Sequence, residues 1–301
     1  MNDLIALHTE GLTKHYGDVL ALVDLTLDVR PGEVFGFLGP NGAGKTTTIR
    51  TVMDEIRPTS GRASILGMDC HRQSVEIRRH VGYLPSDLAL YPNLTGKDTL
   101  TYFANLRGGV DWDHVAELTE RLGAELDKKV GDLSSGQRQK VGVIQAFMNK
   151  PQLLIMDEPS NGLDPLVQRE FQAMIREVVS QGASVFLSSH TLSEVQRVAD
   201  RVGIIREGHL IALESVSSLR SKAMRRVELE LGTTVDAAVF DGVPGVRDVV
   251  VENHHVHLSY DGKMEALLKR LAERYDVVDI STEEADLEEI FLTYYREGVT
   301  V

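Results

Sequence analysis

The nine residues Gly39-Pro40-Asn41-Gly42-Ala43-Gly44-Lys45-Thr46-Thr47 restrict the possible folds of this chain more than any other stretch. They put Gly39, Gly44, Lys45 and Thr46 at the fixed positions of the G-x-x-x-x-G-K-[ST] phosphate-binding pattern. The spacing has a physical cause. Glycines let the backbone curl until its N–H groups point inward at phosphate oxygens. Lys45 adds a point charge for the β- and γ-phosphates, and the Thr46 hydroxyl can ligate Mg²⁺. The apolar run Glu33–Leu38 before the loop reads as a buried strand, and residues 47–53 after it as a helix. That helix, starting near Gly44, aims its positive end at the same anion. Strand, loop and helix in this order predict a nucleotide-binding α/β sheet.

The 301 residues suffice for one large domain and a smaller one. A net charge of −13 argues against a general nucleic-acid binder, which needs a basic surface. Cys70 is the only cysteine, so an intrachain disulfide is impossible and a reducing compartment is the natural expectation. No run approaches the roughly 18 apolar residues of a membrane span, and residues 1–10 do not read as a secretory signal.

Residues 1–215 read as alternating apolar strands and helices. Ile5–His8 and Leu25–Val29 are expected to be antiparallel strands ahead of the loop. Helical spacing marks 98–107 and 113–122. Leu153–Met156 and Ser184–Leu187 flank a helix over 165–180, a strand–helix–strand unit of a parallel sheet. The pattern changes after Ser215. A linking helix over 216–224 precedes strands near 226–231, 246–251 and 255–260, a helix 263–274, a strand 276–280 and a last helix 284–296. Residues 216–301 thus form a small, acidic α+β domain. Ser281 and Glu284 fit a capping box for the last helix, whose Leu287, Ile290, Phe291 and Tyr294 share one face.

Two further segments carry chemistry. Asp157 and Glu158 follow the apolar run Leu153–Met156, at a strand's carboxyl end, where open α/β sheets bind ligands. Asp157 is placed to hold Mg²⁺ and Glu158 to polarise an attacking water. Leu133-Ser134-Ser135-Gly136-Gln137 opens the helical stretch 138–149, so backbone N–H groups and Ser134 can form a second anion site.

With these elements in order, residues 3–213 resemble the ATP-binding subunits of ABC transporters. Gly39–Thr47 resembles the Walker A motif, Leu133–Gln137 the family signature, and Leu154–Glu158 Walker B with its catalytic glutamate. Ser160–Asp164 resembles the D-loop and Ser188-Ser189-His190 the H-loop, whose histidine contacts the γ-phosphate. Tyr16 resembles the aromatic that stacks on adenine. The resemblance implies a P-loop cassette with a mixed sheet core, antiparallel strands and a helical subdomain. It also implies an ATP-hydrolysing pair: Lys45, Thr46, Asp157, Glu158 and His190 face ATP from one copy, and Ser134, Gly136 and Gln137 from the other. The pair would sit at the cytoplasmic face of the membrane, on a separate membrane-spanning subunit received by residues 87–107. Two positions depart from the family pattern. Ser86 stands where a Mg²⁺-ligating glutamine is usual, so it would reach the metal only through water. Ser135 stands where glycine is usual.

The tail, with Asp286–Tyr295, resembles subunits of drug- and antibiotic-resistance exporters. An import ATPase and a soluble ribosome- or DNA-acting ABC ATPase are the alternatives. The single cassette, acidic tail and lack of a long heptad insertion weigh against the soluble class. His254, His255 and His257 read as a solvated strand face rather than a metal site, Trp112 as packing, and Arg78-Arg79-His80 as a solvated helix end.

Overall fold

A computed structural model of the protein describes residues 5–222, 225–262, 264–272 and 275–283. The predicted last helix over 284–296, with the Asp286–Tyr295 segment, lies outside the described residues. The chain divides after Glu214 into two compact units.

In the first unit, a long hairpin of β1 (Leu7–Tyr16) and β2 (Val19–Val29) leads into β3 (Val34–Leu38) and then α1 (Lys45–Val52). Strands β4 (Ser60–Ile65) and β5 (Met68–Asp69), helix α2 (Ser74–His80) and strand β6 (Val81–Leu84) follow. Next come helices α3 (Gly96–Leu106), α4 (Trp112–Leu122) and α5 (Ser135–Phe147). The unit closes with β7 (Leu153–Asp157), α6 (Pro165–Ser180), β8 (Ser184–Ser189), α7 (Leu192–Val198), β9 (Arg201–Arg206) and β10 (His209–Ser215).

These strands form two sheets. The hairpin joins an antiparallel sheet of order β2-β1-β4-β5, and the other six strands run β10-β9-β3-β8-β7-β6. In the larger sheet β9, β3, β8, β7 and β6 are mutually parallel. Every residue of β3, β7 and β8 is buried, the pattern of strands covered on both faces. Phe186 stacks on Phe35 at 5.8 Å between ring centroids and tilts against Phe37 at 5.5 Å, joining β3 to β8. A parallel sheet brings the carboxyl ends of β3, β7 and β8 to one edge, and the predicted site segments follow those ends.

Helix boundaries have local causes. Thr95 and Asp98 form a reciprocal capping box at α3. Asp111 caps α4, which ends on Gly123 in the left-handed conformation. Arg121 of α4 pairs with Glu170 at 2.6 Å and Glu177 at 2.8 Å on α6, tying the helical layer to the sheet layer. Trp112, expected as packing, instead opens α4 with 44% of its surface exposed. No helix among the described residues is long and apolar enough to cross a membrane.

The second unit begins with α8 (Val216–Lys222) and β11 (Arg225–Leu231). A short 3₁₀ turn at Ala237–Phe240 leads to β12 (Val246–Glu252), β13 (His255–Tyr260), α9 (Met264–Ala272) and β14 (Val277–Glu283). The sheet is antiparallel, of order β12-β13-β11-β14. Except that a single 3₁₀ turn replaces its first helix, this is the β-α-β-β-α-β ferredoxin-like arrangement. Period-2 alternation sends Val227, Leu229, Leu231, Val256, Leu258 and Tyr260 into one core with Leu267 and Leu271 of α9. The other face is polar: His257 lies opposite Glu228, and His255 opposite Glu230. Ser281 pairs with Glu228 inside β14, so it extends a strand and does not cap a helix. Its hydrogen-bonding backbone is committed to the ladder, and the capping-box expectation fails there.

Candidate functional site

The phosphate loop leaves β3 and enters α1 through two glycines. Gly44 adopts φ 113°, a left-handed conformation, and a Cβ there would lie 2.7 Å from the Ala21 carbonyl. No side chain caps α1, and its first turn carries no acidic residue. The N–H groups of that turn therefore have no side-chain acceptor, which is the chemistry of an anion site. Asn41 and Gly42 are exposed at the loop tip, while Gly39, Ala43 and Gly44 are buried beneath it. Thr47 is half-buried, and its carbonyl accepts the Thr51 hydroxyl at 2.7 Å inside the helix.

Lys45 is buried and folds back along the loop. Its Nζ donates to the Gly39 carbonyl at 2.5 Å and the Pro40 carbonyl at 3.1 Å. It also lies 3.2 Å from Glu158 Oε1. That contact is an ion pair without hydrogen-bond alignment, so Glu158 Oε1 is buried and has no hydrogen bond. Glu158 Oε2 meets His190 Nδ1 at 2.7 Å. The Thr46 hydroxyl donates to Asp157 Oδ2 at 2.7 Å. Lys45, Thr46, Asp157, Glu158 and His190, spread over 146 positions, thus converge at one sheet edge. A hydroxyl beside a carboxylate is a hard-oxygen pair, suited to Mg²⁺. Glu158 has φ 52°, unusual for a side-chain-bearing residue and costing about 1–3 kcal/mol unless held.

The signature stretch starts α5. Ser134 caps the helix by accepting the Gln137 N–H at 3.2 Å. Gly136 packs against the segment after Glu158: a Cβ on it would come 2.5 Å from the Gly162 carbonyl. Gln139, which the sequence did not single out, reinforces this link by donating to the Pro159 carbonyl at 2.9 Å. Gln137 differs from expectation. Its side-chain amide is spent within the chain, accepting from Glu125 N at 2.9 Å and donating to the Gly123 carbonyl at 3.2 Å. Asp164 likewise caps α6, accepting from Leu166 and Val167 N–H at 3.1 Å each. These two side chains order the loops around the site.

Tyr16 ends β1 at the hairpin turn rather than preceding the strand pair, and 48% of it is exposed. Lys14 Nζ sits 5.1 Å from its ring centroid. Ser86 is exposed in the segment after β6, the strand beside β7, and makes no hydrogen bond to Thr46 or Asp157. Tyr83, on β6, was not singled out either. Burial pushes its hydroxyl well above the ordinary range, and the hydrogen-bonded Glu55 carboxylate pushes it further.

A groove of about 590 Å³ lies beside Tyr83, between α1, α2 and α3. Leu88, Leu90 and Phe103 line its apolar part. Of the large apolar side chains in 87–107, the segment expected to receive a membrane-spanning subunit, Tyr91 and Tyr102 are exposed and meet edge to face at 5.6 Å, whereas Leu90, Leu94 and Phe103 are half-buried. Arg107, also lining the groove, donates through Nη2 to the Val81 carbonyl, but its buried Nη1 has no hydrogen bond. Burial lowers the Arg107 pKa from its usual value.

A strand–loop–helix phosphate cradle with acidic residues at the end of another parallel strand, one strand away in the same sheet, defines a P-loop nucleotide-hydrolysing enzyme. Comparison with known proteins narrows the class. The family model described as ABC transporter matches residues 22–161. The bacitracin transport ATP-binding protein BcrA of Bacillus licheniformis is 34% identical over 303 residues, spanning 96% of this chain and 97% of that one. The linearmycin resistance ATP-binding protein LnrL of Bacillus subtilis (strain 168) is 29% identical, spanning 95% and 97%. A solved ATP-binding subunit of an ABC transporter superposes with a TM-score of 0.66 at 31% identity, over 72% of this chain and 92% of that one. The chain belongs to the ABC transporter family as an ATP-binding subunit. It is an ATPase, and its nucleotide is ATP.

Proposed function

We propose that this subunit energises an exporter of antibiotic-like compounds, working as a pair of copies that close on ATP and open after hydrolysis. The observation that carries the reading is the convergence of Lys45, Thr46, Asp157, Glu158 and His190 at the end of the phosphate loop. Residues 1–215 act as the nucleotide-binding cassette and 216–301 as an acidic accessory domain. Lys45 leaves its carbonyl partners for the β- and γ-phosphates, and Tyr16 stacks on the adenine. Thr46 and Asp157 would hold Mg²⁺, with Ser86 reaching it through water, and the ion would supply positive charge against the phosphates. Glu158 accepts the proton of the attacking water, and His190 orients Glu158 and contacts the γ-phosphate.

Ser134 and Gly136 supply N–H groups to the ATP held by the other copy, with Gln137 and Asp164 shaping the loops that present them. Loss of the γ-phosphate bridge then lets the pair open. Two buried atoms without a hydrogen bond, one of them only ion-paired with Lys45, support the reading, because such groups cost free energy until a hydrogen-bond partner arrives. Glu158 Oε1 awaits ligand in the site, and Arg107 Nη1 lies in the groove assigned to the membrane-spanning subunit. Export is favoured over import by the names of the relatives, which concern bacitracin transport and linearmycin resistance.

Glu158→Gln should keep ATP binding and lower turnover by about 10²–10⁴-fold, the range of general-base catalysis. It should also trap an ATP-dependent dimer by light scattering. Undiminished hydrolysis would overturn the role of Glu158, and a monomer at saturating ATP would overturn the paired mechanism. Affinity purification from gently solubilised membranes should recover a stoichiometric multi-span protein. Recovery with ribosomes, or alone, would move the assignment to a non-transport ATPase.

A further inference from the structure

We infer that Ser188 is a positioning residue of the ATPase reaction, its hydroxyl setting both the Asp157 carboxylate and the Glu158 backbone. The inference rests on the roles proposed above for Asp157 and Glu158. Ser188 is fully buried near the end of β8, in parallel register with Asp157 on β7. Its Oγ donates to Asp157 Oδ1 at 2.5 Å. The same oxygen accepts the Glu158 N–H at 3.1 Å, and the Ser188 carbonyl shares that N–H at 3.3 Å. The one proton and one lone pair of a single hydroxyl are thereby committed to two adjacent site residues.

The geometry divides the work of the carboxylate. Oδ1 is held by Ser188, and Oδ2 is left for the Thr46 hydroxyl at 2.7 Å, on the phosphate-loop side. The second bond acts where the backbone is unusual. Glu158 turns at φ 52°, and Ser188 supplies two acceptors for the N–H that fixes the turn. The turn in turn aims the Glu158 side chain at Lys45 and at His190, two residues beyond Ser188. An apolar side chain at 188 would leave Asp157 Oδ1 buried without its donor, and would leave the Glu158 N–H only the longer bond to the main-chain carbonyl of residue 188.

The test uses the full-length protein and four variants: Ser188→Ala, Ser188→Thr, Ser188→Val and Glu158→Gln. ATP turnover is measured together with ADP affinity, with and without Mg²⁺. Ser188→Ala should lower kcat by about 10- to 100-fold, the worth of a hydrogen bond to a charged group. Its Mg²⁺-free ADP affinity should stay within about twofold of wild type, because the phosphate loop is untouched. The gain in ADP affinity on adding Mg²⁺ should shrink severalfold, a readout that does not require hydrolysis. Thr and Val share a shape, so strain from the added methyl is common to both and only the hydroxyl differs. Ser188→Thr should therefore turn over at least about tenfold faster than Ser188→Val.

Equal rates for Thr and Val would overturn the inference. So would wild-type kcat in Ser188→Ala, or a Mg²⁺-free affinity that falls in parallel with kcat. If Glu158→Gln hydrolyses ATP at the wild-type rate, the proposed role of Glu158 on which the inference rests fails. If Glu158→Gln is inactive while Ser188→Ala keeps the wild-type kcat, only the role of Ser188 fails.

Discussion

The two units of this molecule bury polar groups in opposite ways. In the first, the ends of β7 and β8 carry Asp157 and Ser188 at 1% and 0% exposure, inside a sheet covered on both faces. In the second, Glu228, His255 and His257 stand on a sheet face that is exposed among the described residues. At the first edge the Asp157 carboxylate and the Ser188 hydroxyl are satisfied by other site residues, whereas Glu158 Oε1 faces Lys45 without hydrogen-bond alignment. The second sheet has no such constraint, since its polar side chains remain in water. Burial of a polar group demands a partner, and a partner at a set distance is what a reaction needs. The contrast therefore separates a unit organised around chemistry from one organised around packing.

The sharpest way to break that contrast is to damage the packing unit alone. Leu229 is fully buried in the second core, and Leu229→Ala should destabilise that unit by about 2–5 kcal/mol. Trp112, the only tryptophan, lies in the first unit, so its fluorescence transition should not move while amide exchange in β11 and β13 accelerates. A matching shift in the tryptophan transition would mean that the units unfold as one. Next in size, Lys45→Ala should weaken ATP binding by about 10- to 100-fold through loss of a charged donor, as titration calorimetry would read. Unchanged affinity would remove Lys45 from the phosphate site.

Gly136→Ala probes close approach without touching charge. Its Cβ would meet the Gly162 carbonyl at 2.5 Å, so we expect about 1–3 kcal/mol of lost stability by denaturant titration, together with slower turnover. A neutral result would show that α5 can shift freely away from the Asp-Glu strand end. The smallest effect compares one residue type in both units. His257→Gln on the open sheet face should change stability by no more than about 0.5 kcal/mol and leave turnover intact. His190→Gln should leave stability similar but slow hydrolysis, because it removes the ring that holds Glu158 Oε2.

Much of the site was legible because short-range geometry produces it. The phosphate loop is a local structure: glycine at 39 and 44, with Lys45 and Thr46 behind them, specifies the turn and the helix start without distant help. The Asp157-Glu158 strand end was legible through the apolar run before it, and the α3 to α6 stretches through helical spacing. Side chains whose hydrogen bonds or exposure a motif does not specify were read less well. Gln137 carries a motif but spends its amide on Gly123 and Glu125, and Asp164 spends its carboxylate on a helix cap. Trp112 read as core on composition, but its place at the start of α4 leaves it at the surface. Ser281 satisfied a capping pattern that a cross-strand pairing with Glu228 overrode.

By itself, then, the sequence determined the class of site, the nucleotide it takes and the order of strands and helices around it. The class of site and the order of elements follow from backbone freedom, charge and periodicity within a few residues; the nucleotide follows from the resemblance to the ABC family. Only the tertiary structure decided which hydroxyl orients Asp157, where Lys45 rests, and that Gly136 and Gln139 of α5 pack on the segment after Glu158. Those facts depend on β7 lying beside β8 in one register, with Asp157 and Ser188 31 positions apart in the chain. No local pattern encodes that register; it is set by the burial of both sheet faces at once.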